Sequence, residues 1–184
     1  MNYLQIDKAS INNGPGVRVV LWVSGCTLHC KGCQNPESWN FNAGKLFDLA
    51  AKQELFDALS KPYISGITFS GGHPLERENI AAIHNLITRI RVGFPEKDIW
   101  LYTGWELTID NFTGKKDTCY NVEFGQDSFI CSRSALLSMC DVIVDGPYIE
   151  EQRDVTLKFR GSANQRLINV KETLEQGKII TIQN

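Results

Sequence analysis

Short runs rich in β-branched and aromatic residues recur at Val17–Val23, 64–69, 99–103, 142–145 and 179–182, with helical stretches between several of them. That alternation constrains the fold more than any other feature, because it predicts βαβ units and hence an α/β architecture with parallel strands. The clearest helix, over about 75–91, places Ile80, Ile83, Ile87 and Ile90 with Leu86 on one stripe, while Glu78, Asn85 and Arg89 face away. A second helix over 46–59 is expected from composition, although Gln53 and Asp57 interrupt its apolar face. Between 110 and 131 the pattern gives way to Asn, Gly, Lys and Asp with scattered aromatics, which predicts an inserted loop or hairpin and no second domain. The whole chain, 1–184, is read as one domain, long enough to bury a core without disulfides.

Two chemically loaded segments begin where expected strands end. The first is Cys26-Thr-Leu-His-Cys30-Lys-Gly-Cys33, directly after Val17–Val23, and the second is Ser70-Gly71-Gly72-His73-Pro74. In parallel α/β sheets, sites assemble from loops at the carboxyl ends of strands, so both segments are expected on one rim. Three thiolates on one tight loop cannot complete a four-thiolate iron-sulfur site, and a cubane held there keeps one iron for a ligand that is not protein. A structural zinc site with His29 or a distant cysteine as fourth ligand is the alternative, but zinc knuckles favour other spacings and a matching second pair. Cys119 and Cys131 do not form such a pair, and clustering of three of the six cysteines on one loop argues against a disulfide framework.

The remaining composition narrows the function classes. A net charge of -2 and an isoelectric point near 5.9 give no reason to invoke nucleic acid. The longest uninterrupted apolar run, Val19 to Val23, is too short to span a bilayer, and the amino-terminal residues are too polar for a secretory signal. A cytoplasmic, reducing location is therefore expected.

Cys26-x3-Cys30-x2-Cys33 resembles the cluster motif of the radical S-adenosylmethionine superfamily. Asn13-Gly14-Pro15-Gly16-x-Arg18 upstream, and Cys33-Gln34-Asn35-Pro36-Glu37-Ser38-Trp39 downstream, are similar to the glycyl-radical-enzyme activases. Within that group, several segments resemble the activating proteins of anaerobic ribonucleotide reductases. They are Ser70-Gly71-Gly72-x-Pro74-Leu75, Tyr102-Thr103-Gly104-Trp105, Asp141 to Gly146 and Arg160-Gly161-Ser162-x-Asn164-Gln165. The resemblance implies a compact, incomplete (β/α) barrel, since a full eight-fold barrel takes about 250 residues.

The chemistry implied is an oxidoreductase reaction. Cys26, Cys30 and Cys33 would hold three irons of a 4Fe-4S cluster, and S-adenosylmethionine would chelate the fourth. One electron from the reduced cluster would cleave the sulfonium to methionine and a 5'-deoxyadenosyl radical, which would take a hydrogen from a glycine of the reductase large subunit. A flavodoxin-type donor is the implied electron source, and neither nucleic acid nor membrane is an implied partner. No catalytic side chain beyond the cluster and cofactor site is implied. The positions assigned to cofactor binding are Gly32, Ser70, Gly71, Gly72, Thr103, Asp145 and Arg160. Activation of another glycyl radical enzyme such as pyruvate formate-lyase, small-molecule radical chemistry of the deazapurine synthase type and a zinc-binding adaptor remain as alternatives.

The chain departs from the family pattern twice. His73 stands where relatives usually carry Asp or Glu, and is read as a plain loop histidine; Pro147 stands where related activases often carry Lys. Whatever that lysine does would fall to a residue such as Lys158 or Arg160. Cys119, Cys131 and Cys140 are read as free cysteines without a metal, because three scattered thiols lack a fourth partner.

Overall fold

A computed structural model describes residues 1–115, 119–124 and 127–183, with side chains described outside 116–131. In chain order the elements are β1 (Asn2–Ser10), β2 (Val17–Val23), β3 (Lys45–Leu46), α1 (Leu49–Leu59), β4 (Ile64–Gly71), α2 (Arg77–Gly93) and β5 (Asp98–Tyr102). There follow α3 (Ile109–Thr113), β6 (Cys119–Phe124), β7 (Asp127–Ser132), α4 (Arg133–Ser138), β8 (Val142–Asp145), β9 (Arg166–Asn169) and α5 (Val170–Gln176). Seven strands form one mixed sheet in the order β3-β1-β2-β4-β5-β8-β9. The inner strands β2, β4, β5 and β8 are parallel, and the flanking pairings are antiparallel.

Alternation along the inner strands separates two faces. Val19, Leu21, Val23, Ile67, Phe69, Ile99, Leu101 and Ile143 point into the main core, where Leu55 and Leu59 of α1 and Ile80, Ile83, Leu86, Ile87 and Ile90 of α2 cover them. The α2 stripe is the expected one, and each of its five residues is at most 1% exposed. Asp48 caps α1 by accepting from the Ala51 amide at 2.9 Å, and Asn169 caps α5 by accepting from Glu172 at 3.1 Å. The opposite face carries Trp100, Val142, Val144 and Leu167, with Tyr102, Phe159 and Ile182 packed against them. Arg18 and Thr68 lie buried on that face too, and it is the face on which the candidate site forms.

Four expected strands match β2, β4, β5 and β8 to within two residues at either end. The run 179–182 does not form a strand: it makes one bridge, Ile168 to Thr181, beyond the left-handed Gly177 that ends α5. The segment 110–131 contains α3 and the hairpin of β6 with β7, which forms its own two-stranded sheet beside α2. No described helix is long and apolar enough to cross a membrane.

Candidate functional site

Because β2, β4, β5 and β8 run parallel, the loops that leave their carboxyl ends meet on one rim. They enclose a cavity of about 190 Å³ whose wall includes Cys26, Cys30 and Cys33 from the first loop, Ser70, Gly71 and Gly72 from the second, and Thr103 from the third. The fourth loop contributes Gly146, Tyr148 and Gln165.

The first two loops are joined backbone to backbone. Gly72 donates its amide to the Val23 carbonyl at 2.7 Å, and His73 donates to Gly25 at 2.8 Å. A Cβ on Gly72 would stand 2.6 Å from the Gly25 carbonyl oxygen, and one on Gly71, whose φ is +98°, 2.7 Å from that of Val23. The two glycines are therefore needed because strand ends pack on each other, not only to admit a ligand. Asn79, 1% exposed on the first turn of α2, locks the junction by donating to Ser24 at 2.8 Å and to the His73 carbonyl at 3.1 Å.

The three cysteines of the first loop are free thiols, each half-buried. Burial pushes the Cys26 thiol up, with the nearby Leu28 and His29 backbone drawing it partly down. A tight turn links the second and third, with the Cys33 amide donating to Cys30 at 3.1 Å. The Asn35 amide lies 3.4 Å from Cys33 Sγ. His29 is not part of the cavity wall; it stacks on Trp39 with centroids 4.7 Å apart. Among the described residues no group of three or more His, Cys, Asp or Glu is gathered as for a single metal ion.

His73 is not a plain loop histidine. It is 1% exposed, lines the cavity, and uses both ring nitrogens: Nδ1 lies 3.2 Å from Glu76 Oε1, and Nε2 lies 2.7 Å from Thr103 Oγ1. Glu76 Oε1 also accepts from the Thr27 amide at 2.9 Å and the Thr27 hydroxyl at 2.7 Å. Burial opposes the charge on Glu76, but the hydrogen bonds from His73 and Thr27 prevail and hold its carboxyl down to about 2. One carboxylate thus ties the cysteine loop, the glycine loop and the end of β5 together.

Three expected site residues lie off the cavity wall. Gly32, at φ +74°, backs onto Glu150, whose Oε2 would be 2.1 Å from a Cβ there. Asp145 is fully buried and accepts from the Leu107 amide at 2.8 Å and from Arg166 Nε at 2.9 Å. Arg160 donates to the Gln165 carbonyl at 3.0 Å within its own loop. Conversely, Trp22, Tyr148 and His73 line the cavity although sequence reasoning gave them no cofactor role. Alternation along β2 could have pointed to Trp22, which shares the face of Arg18. Cys140 is buried, and burial pushes its thiol far up. The side chains of Cys119 and Cys131 lie outside the described residues.

The donor set fits an iron-sulfur cluster with one site left open. Three soft thiols line one cavity together with glycine-rich backbone. Among the described residues the buried indole N–H of Trp22, another residue of that wall, has no hydrogen-bond partner.

Residues 12–168 match the family described as 4Fe-4S single cluster domain. The chain is 40% identical over 167 residues to the anaerobic ribonucleoside-triphosphate reductase-activating protein of Haemophilus influenzae, covering 90% of this chain and 96% of that protein. Its counterpart in enterobacteria phage T4 is 41% identical over 91% of this chain and 93% of its own length. That of Escherichia coli K12 is 35% identical over 90% and 96%. With the three thiols and the glycine segment on one cavity wall, these matches establish that the chain belongs to the anaerobic ribonucleoside-triphosphate reductase-activating protein family.

Proposed function

We propose that this chain is an activating enzyme that installs a glycyl radical on an anaerobic ribonucleoside-triphosphate reductase, using a 4Fe-4S cluster and S-adenosylmethionine. The observation that carries the reading is the junction of the cysteine loop with the Gly71-Gly72 turn, which puts three free thiols and open backbone on one cavity wall. Cys26, Cys30 and Cys33 are the cluster ligands. Ser70, Gly71, Gly72 and Thr103 present polar backbone and hydroxyl groups to the cofactor, while Gly32, Asp145 and Arg160 act behind the wall by fixing the loops that form it. When bound, the cluster and S-adenosylmethionine supply reductive sulfonium cleavage and hydrogen abstraction; the protein supplies position and exclusion of water.

The wider architecture is read in the same way. The parallel run β2-β4-β5-β8, with helices on one face and the cavity on the other, supports an incomplete (β/α) barrel whose open side admits a loop of the reductase. The segment 110–131 is taken as an insertion into a single domain. Three unpaired, half-buried thiols accord with a reducing cytoplasmic setting, and a flavodoxin-type donor is taken as the electron source.

The test is anaerobic reconstitution with iron and sulfide, reduction, and assay for 5'-deoxyadenosine with and without the reductase. Formation of 5'-deoxyadenosine together with a glycyl radical signal on the reductase is expected, and Cys30→Ala should abolish both along with the iron-sulfur absorbance. Cleavage without a radical on the reductase would redirect the reading to another substrate, and uptake of zinc alone would end it.

A further inference from the structure

We infer that His73 is a positioning residue: it fixes the Thr103 hydroxyl so that its oxygen faces the cavity as an acceptor for an N–H or O–H donor of the bound cofactor. The inference rests on the proposed function and deepens it.

The direction of each hydrogen bond follows from one end of the chain. Glu76 Oε1 receives two donors from Thr27, so it is the acceptor of the cluster of contacts, and the nearby His73 Nδ1 must carry the proton. In the neutral imidazole Nε2 is then an acceptor, and the 2.7 Å contact takes the Thr103 hydroxyl hydrogen. Thr103 Oγ1 in turn accepts from the Trp105 amide at 3.2 Å. A hydroxyl has one hydrogen and two lone pairs, so one lone pair is left over, on a residue that lines the cavity. The imidazole cannot swing to contact the cofactor itself. It is 1% exposed, held at both nitrogens, and packed edge to face with Trp105 at 4.3 Å. His73 therefore acts through Thr103.

The donor could be the ammonium of the methionine half or a hydroxyl of the ribose half. Calorimetric titration of cluster-loaded protein with S-adenosylhomocysteine reads the effect without turnover, and L-methionine and 5'-deoxyadenosine used separately distinguish the two sources. His73→Ala and Thr103→Val should each weaken S-adenosylhomocysteine binding about tenfold, the worth of one oriented hydrogen bond. The double variant should be no weaker than either single one, and His73→Gln, which can still accept from Thr103, should recover part of the loss. The half whose binding suffers in Thr103→Val contains the donor.

Additive losses in the double variant, or Thr103→Val binding like the wild type, would overturn the inference while leaving the proposed function intact. If His73→Ala does not take up iron, the Thr103→Val and His73→Gln titrations still decide. Cluster-loaded wild-type protein that binds none of the three probes would overturn the proposed function, and this inference with it.

Discussion

Glu76 is the residue on which the site's internal wiring converges, and its charge makes that wiring sensitive to pH. Its carboxyl is held at about 2 in the fold, against an ordinary value of 4.5, because His73 and Thr27 donate to it despite its burial. A group whose pKa is depressed by folding contributes stability that is present above the unfolded value and is lost as pH falls toward the folded one. The window here runs from about 4.5 down to about 2. Urea unfolding of cluster-free protein should accordingly show the wild type more stable than Glu76→Gln at pH 6 by on the order of 1–3 kcal/mol, with the gap closing across that window. A gap that stays constant from pH 6 to pH 3 would mean that the carboxylate's charge is not what binds the three loops.

At the scale of elements, the junction between the ends of β2 and β4 carries the site, and its tolerance is set by backbone contact. A methyl group on Gly72 meets the Gly25 carbonyl oxygen at 2.6 Å and its amide nitrogen and carbonyl carbon at 3.0 Å, all of them main-chain atoms. Gly104, on the neighbouring loop, meets Leu28 Cδ1 at 2.2 Å, the far end of a flexible side chain, and its next neighbours stand at 3.7 and 4.0 Å. Gly72→Ala should therefore destabilise the protein by about 1–3 kcal/mol and lower iron uptake on reconstitution, while Gly104→Ala should take up iron normally. Equal iron content in the two variants would show that the strand ends can part without cost to the cysteine loop. The same elements show what the amino-acid pattern could and could not convey. Strands β2, β4, β5 and β8 are covered on both faces, so they read as apolar runs and were legible. Strand β1 was not, because it is an antiparallel strand near the sheet edge with polar Gln5, Asp7 and Lys8 and two irregularities in its register. That Cys26, Cys30 and Cys33 share one loop at the end of β2 was legible from their spacing. The burial of His73 was not, since it depends on Thr103, thirty residues further along and brought beside it only by the pairing of β4 with β5.

For the molecule as a whole, the sheet divides labour between its faces: the helical face supplies most of the apolar burial, and the other gives part of it up to polar groups that shape the cavity. Arg18 is the clearest instance. It is fully buried on the non-helical face and donates to Thr68 Oγ1 at 2.9 Å, to the Ile67 carbonyl at 3.0 Å and to the Pro15 carbonyl at 3.1 Å. It also pairs with Asp98 at 2.6 Å, and its guanidinium lies 5.4 Å from the Trp100 ring centroid. One side chain thereby links the 11–16 loop to β4 and β5, and Thr68 passes the link on by donating to the Asn13 carbonyl at 2.8 Å, where Asn13 lines the cavity. Its charge is matched by the Asp98 carboxylate, and its donors by the Thr68 hydroxyl and the Ile67 and Pro15 carbonyls. Removing it empties a fully buried position and takes a donor from the buried Thr68 hydroxyl and Ile67 carbonyl, which costs more than the loss of an exposed ion pair. Arg18→Ala should lower stability by about 3–5 kcal/mol, read as a fall in the urea midpoint at unchanged slope. Arg18→Lys should recover only part of this, since a lysine cannot present the same fork of donors. Full recovery by lysine would show that charge alone, and not the directed hydrogen bonds, holds the 11–16 loop against the sheet beneath the site.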